Sequence, residues 1–255
     1  TANYGYTPPT GYEELNTTNI AEATTRSSTD LAEHHQTQLV DHDGTSTAFT
    51  LGWNADTYPT LFIIKNRDNS EIWYWVDGIN GYNKYLSTSN SGASQVTNAN
   101  VMSVSGATIT LGSALLVDNY VVECHRIGEV TGLHIKVVAN ADMGSNTVVA
   151  HGNPYGEPGF FAVKHRDTAQ SWYAWHNSLA DTEYLILDAT ATKGTGGALF
   201  NGVAATTFTT GSWSGWNTAS DYVVYSWAPT EWNSFSSYEG NANANGTFAP
   251  TLNSL

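Results

Sequence analysis

Apolar positions along this chain come in short runs rather than in helical stripes. Leu61–Ile64 and Phe160–Val163 are four-residue apolar runs, each stopped by a charged cluster. Runs of that length, rich in β-branched and aromatic residues, read as buried strands. Trp73–Val76 is stopped by Asp77-Gly78, a turn signal, and Trp172–Trp175 by His176-Asn177-Ser178. Thr108–Leu111 and Thr206–Thr210 alternate with period two, as a strand with one face in a core must. Tyr120–Cys124 and Tyr222–Trp227 are further strong strands. No window carries a convincing helical stripe; Glu22–His35 has sparse apolar positions and reads as loop. The pattern predicts an all-β chain built from β-sandwich-like, jelly-roll-like modules with six to eight strands each.

The runs recur in order. An offset of 99 positions carries Lys65-Asn66-Arg67-Asp68 onto Lys164-His165-Arg166-Asp167, Trp73-Tyr74 onto Trp172-Tyr173, and Tyr85 onto Tyr184. An offset of 102 carries Tyr120 onto Tyr222, so the second copy has gained about three residues on the way. Ordered self-similarity of this kind marks a tandem repeat. It predicts an arm over residues 1–36, a first module over 37–132, a second over 133–232, and over 233–255 a tail or the start of a third copy, opening at Phe235. Residues present in both copies are expected to be framework: Lys65, Arg67, Asp68, Trp73, Tyr74, Tyr85 and Tyr120 with Lys164, Arg166, Asp167, Trp172, Tyr173, Tyr184 and Tyr222. Within them, Arg67 and Arg166 are expected to stack on Trp73 and Trp172, and Asp68 and Asp167 to accept turn N–H groups.

Composition narrows the partners. Only 13% of the 255 residues are charged, and the net charge is −14. An acidic chain lacks the Lys/Arg needed to displace counterions from nucleic acid or to bind anionic lipid. No apolar run approaches a membrane span, so membrane insertion is not expected. Cys124 is the single cysteine, which excludes an internal disulfide and reads as core packing.

The candidate chemistry is thin. The Lys-x-Arg-Asp clusters lie between aromatic strands as hairpin turns do, and they are duplicated with the framework. The eight histidines show neither His-x-His nor His-Glu-x-x-His spacing, so no metal and no cofactor are expected. Asp41-His42-Asp43-Gly44 lacks the later carboxylates of a calcium loop. Glu13-Glu14 and Asp181-x-Glu183 are weak as catalytic pairs, and no catalytic residue is assigned. Aromatics found in one copy only carry more information. Trp213 and Trp216, in Gly-Ser-Trp-Ser-Gly-Trp-Asn where the second copy is longer, are candidate platforms for a glycan or a partner, and Tyr155 is a weaker one. Trp53 and Trp232 are candidates for covering module junctions.

Leu61–Asp68, Trp73–Asp77, Lys84–Ser87 and Tyr120–Cys124 in the first copy, with Ala150–Gly152, Phe160–Asp167, Trp172–Ser178, Tyr184–Leu187 and Tyr222–Ala228 in the second, resemble a tandem domain of unknown function found in bacteriophage virion proteins. That domain often stands beside a SPRY-type domain, whose exit Asn3–Tyr12 resembles. The resemblance implies a non-enzymatic virion protein: a fragment of a tail fibre or other appendage, acting as a rod-like spacer or host-adhesion element. It further implies other virion proteins as partners, and a homo-oligomer, threefold favoured, as fibres commonly are. A capsid decoration protein is the close alternative. A carbohydrate-binding module for host surface glycan and a glycan-degrading enzyme are the competing classes.

Overall fold

The computed structural model describes residues 32–88 and 95–237. Most of the expected arm, including Glu13-Glu14 and the Asn3–Tyr12 stretch, lies outside them, as does the supposed third copy beyond Ser237. Among the described residues the chain is all-β, with only two short 3₁₀ turns, at Asn140–Asp142 and Ser214–Asn217. Among the described residues no helix is long and apolar enough to cross a membrane.

Each copy is a two-sheet sandwich. In the first, the large sheet has the order β1 (His35–His42), β9 (Asp118–Arg126), β3 (Thr60–Asn66), β4 (Tyr74–Asp77), β5 (Lys84–Ser87), β6 (Val96–Thr97). Its small sheet is β2 (Ser46–Thr50), β8 (Thr108–Gly112), β7 (Met102–Ser105). The second copy repeats the order as β10 (Leu133–Val138), β17 (Tyr222–Trp227), β12 (Phe160–His165), β13 (Tyr173–His176), β14 (Leu185–Ile186). Its small sheet is β11 (Val148–Ala150), β16 (Thr207–Thr210), β15 (Phe200–Val203). The first strand opens at His35, and the first strand of the second copy opens at Leu133. The pairing is also repeated: Val40 lies opposite Tyr120 as Val138 lies opposite Tyr222.

Why the framework residues recur is now physical. Lys65 Nζ donates to the Glu71 carbonyl at 2.6 Å, and Lys164 Nζ donates to the equivalent Gln170 carbonyl, each closing the hairpin between the third and fourth strands of its copy. Asp68 accepts from the Asn119 backbone N–H at 3.0 Å, and Asp167 from Asp221 at 2.8 Å, tying the hairpin to the start of the last strand. Those bonds replace the expected ones to the turn's own N–H groups. Gly112 and Gly211 also correspond. A Cβ on either would come within 2.3 Å or less of a backbone carbonyl oxygen, so only glycine lets the strand end press so close to its neighbour.

The expected Arg–Trp stacking is not formed. Lys65, not Arg67, stands over Trp73, 6.0 Å from its ring centroid. Arg166 turns to Asp221 and Gln95, while Trp172 is fully buried and donates from Nε1 to the Ser87 carbonyl at 2.6 Å. Trp73 is 41% exposed, so this duplicated pair has one framework member and one surface member.

The difference between the two tryptophans comes from how the modules meet. They stack face to face, so that the order of layers is small sheet, large sheet, large sheet, small sheet. This replaces the simple picture of beads along a rod. The seam between the large sheets is a core of its own, with Leu61, Leu86, Leu133, Ile135, Ala162, Trp172, Ala174, Val223 and Tyr225 buried in it. Half-buried Trp75 packs against it, with ring centroids 4.9 Å from Trp172, 5.1 Å from Tyr225 and 6.3 Å from Trp227. At the equivalent place the second copy has Ala174, also buried in the seam, so the two sheets present different side chains at this repeated position. Tyr225 donates across the seam to Asp77 Oδ2 at 2.8 Å, and that carboxylate also receives Asn80 Nδ2 at 2.7 Å.

A shared core makes the two sandwiches unfold together. A single calorimetric transition is expected. Trp172→Ala should lower stability by about 3–5 kcal/mol through the cavity it leaves. Tyr225→Phe should cost about 1.5–3 kcal/mol, the range for a hydrogen bond to a charged acceptor. Both are read by chemical denaturation; a Trp172→Ala protein of unchanged stability would show that the seam holds nothing.

Candidate functional site

The single-copy aromatics fall in two places. Trp216 is fully buried in the second module, donating from Nε1 to the Leu199 carbonyl at 3.1 Å. Trp213 packs over it edge-on at 5.3 Å, against Tyr173 at 5.0 Å and tightly over Gly215. The extra residues of the second copy thus fold back as a lid on their own core. Trp216 has no free face to offer a sugar, and the expectation of a platform there is corrected: Gly and Ser at this turn allow close packing rather than exposure. Trp53, one of the two residues proposed for junctions, is instead in the first module's core, bonded to Thr60 at 2.8 Å.

The junction is covered by Trp232. After β17 the chain crosses back over the linker between the modules, held by Thr230 Oγ1 on the Val130 carbonyl at 3.0 Å and Asn233 Nδ2 on the Thr131 carbonyl at 2.6 Å. Phe235 then seats on Gly159, where even a Cβ would collide with its ring. This return path leaves a depression on either side of the half-buried Trp232. One, of 350 Å³, is lined by Tyr155, Glu129, Pro229 and Trp232. The other, of 330 Å³, is walled by Trp227, Trp232 and Phe235 from the second module and by His35 and His125 from the first.

The histidine wall is a product of strand register. β1 and β9 run antiparallel with His35 opposite His125 and Thr37 opposite Glu123. Alternation along β9 puts Glu123 and His125 on one face, away from the first module's core. The two imidazole centroids are 4.6 Å apart. His35 Nε2 lies 3.3 Å from Glu123 Oε2, which also accepts from Thr37 Oγ1 at 3.0 Å. One ligand-type atom from each of His35, Glu123 and His125 lies within 4.8 Å of the others. Burial, helped by the neighbouring His35, pushes the His125 imidazole down to about 4, so it is neutral at physiological pH. Spacing along the sequence missed this cluster, because His35 and Glu123 are 88 positions apart. The available signal was Glu-x-His on a strand, with a histidine on its neighbour.

The remaining charged candidates are structural. Asp43 accepts from Thr45 and Ser46 within its own turn, which holds its carboxyl below the usual range. Glu183 is paired with Lys193 at 2.5 Å and likewise lowered. Cys124 is buried in the first core, its thiol pushed well up by desolvation.

Residues 129–251 match a family model described as a domain of unknown function (DUF7483). The matched stretch begins in the linker and takes in all eight strands of the second module, while the first module, with the same strand order, lies outside it. No curated protein and no solved structure matches.

The lid on the second core generates a pH prediction. His165 is fully buried between Trp216 and Tyr222, its Nδ1 3.0 Å from Thr168 Oγ1 and its Nε2 without a hydrogen-bond partner. Burial pushes its imidazole from 6.5 down to about 4. Above pH 6.5 neither the folded nor the unfolded form is protonated there. As pH falls from 6.5 toward 4 only the unfolded chain takes the proton, so stability is lost across that window, by up to about 3 kcal/mol. His165→Asn, which installs the first copy's residue, should make the profile shallower between those limits in urea titrations, leaving the loss that His125, also lowered to about 4, contributes across the same window. Trp216→Ala should cost about 3–5 kcal/mol at any pH.

Proposed function

We propose that this chain is a non-enzymatic segment of a bacteriophage virion, of the tail-fibre or appendage kind, working as a spacer and host-adhesion element. The observation that supports this most is the seam. Two copies of one sandwich are locked by an aromatic core and buried hydrogen bonds, in a chain with no disulfide and few charges. That construction makes a stiff block that resists local opening, since the large sheets pack against a shared core and the polar surface is Thr, Ser, Asn and Gly. Large apolar side chains left outside, Leu39 at 68%, Val117 at 70% and Val148 at 65% exposed, support contacts between copies or with other virion proteins. A threefold homo-oligomer is the favoured assembly.

A second reading, glycan recognition, is favoured by one specific arrangement. Tyr155 and Trp232 line the same depression, with Glu129 and Thr230 at hand for hydroxyl groups. An aromatic ring beside polar groups is how proteins commonly hold sugar faces. In this reading the adhesion surface lies at the module junction and not at Trp213.

Antibody raised against the chain tests the main proposal by gold labelling of virus particles from the source culture. Label on a tail appendage is expected; label on the shell would favour capsid decoration, and unlabelled particles would overturn the virion assignment. Sedimentation should give three times the chain mass, and a monomer at all concentrations would overturn the trimer. For the second reading, oligosaccharide-array binding should be lost in Trp232→Ala and retained in Trp213→Ala. A flat array for the parent chain would remove it.

A further inference from the structure

We propose that His35, Glu123 and His125 form a binding site for one divalent transition-metal ion of the zinc class, with its open position facing the junction pocket. The first argument is geometric. A tetrahedral zinc ion with bonds of about 2.0–2.1 Å has ligand atoms about 3.3 Å apart. His35 Nε2 and Glu123 Oε2 are already 3.3 Å apart, and all three donors fall within 4.8 Å of one another. Small side-chain rotations close the remaining distance. No unusual backbone is needed, because two neighbouring strands in register supply the triangle: His35 opposite His125, and Glu123 two positions along.

The second argument is chemical. Two imidazole nitrogens and one carboxylate oxygen suit zinc, cobalt or nickel, and suit calcium and magnesium poorly, which require mostly oxygen. The carboxylate is oriented by Thr37, whose hydroxyl donates to it at 3.0 Å, the kind of supporting bond that ordered metal ligands receive. His35 and His125 line the 330 Å³ pocket, so a fourth position has room for water or for a donor group brought by a ligand.

The third argument comes from the repeat. Strand register makes Leu133, Tyr225 and Trp227 the second copy's counterparts of His35, Glu123 and His125. In the second copy these positions are apolar and belong to the seam. The sandwich therefore does not need polar groups there. The three donors occur in one copy only, together, and on the one part of the repeated face that ends at a pocket.

Calorimetric titration of the full chain tests the site, with ZnCl₂ and, in parallel, CaCl₂. One zinc per chain is expected, with calcium binding at least tenfold weaker. Glu123→Gln and His125→Ala should each weaken zinc at least tenfold while leaving the circular dichroism spectrum unchanged. Thr37→Val should weaken it less than either. Co²⁺ should give visible d–d absorption that His125→Ala abolishes. Absence of zinc uptake, or uptake unaltered in a folded Glu123→Gln protein and in His125→Ala, overturns the proposal. Neither result bears on whether the chain belongs to a virion.

Discussion

Burial of Trp75 against Trp172, Tyr225 and Trp227 is the contact on which the rest of the molecule depends. A sandwich normally has a large sheet with one wet face. Here the second module's large sheet is dry on both. Its central strands show it: β12 is buried at five of six positions and β17 likewise, whereas β9 alternates between buried and half-exposed along most of its length. With both faces spent, the sheet has only hydrogen bonds and edge positions left for polar side chains. Lys164, fully enclosed, illustrates the consequence. Its ammonium is held by the Gln170 carbonyl, and burial lowers it to about 8, whereas Lys65 at the same place in the first copy is only half-buried.

This asymmetry explains what the sequence revealed and what it hid. Strand positions, the all-β class and the repeat were legible because they depend on local alternation and on identity between copies. Lys65/Lys164, Asp68/Asp167 and Tyr120/Tyr222 stand out in the repeat, and their hydrogen bonds are made within each copy. Trp73/Trp172 misled for the opposite reason. Their surroundings are set by the other module, and a repeat gives no sign of which copy will be covered. The same holds for Trp75 and Ala174, whose mismatch looks like loss of the motif along the chain although both side chains belong to the seam.

Loop composition misled at Trp213 and Trp216. Gly-Ser-rich turns carrying tryptophan suggest display, but Gly215 is where the Trp213 ring lies closest, and the small residues serve packing. Trp232, which lines both junction depressions, had no such composition to advertise it. It faces a pocket because the return segment after β17 must recross the linker, a consequence of topology that no local pattern encodes.

The polar cluster on β1 and β9 also has a role in the architecture. Were the large sheets free to slide across one another, the second module's apolar face would bury more surface by reaching over β9. It would then have to cover Glu123 and Thr37, and taking that carboxylate further out of water costs more than the added apolar area returns. The seam therefore stops at Leu61 and Ile63 on β3, one strand short. The overhang that remains is the wall of the pocket, and the return segment through Trp232 and Phe235 forms its opposite side. Register between the modules and the existence of a pocket at their junction thus follow from one distribution of polar residues over a single repeated face.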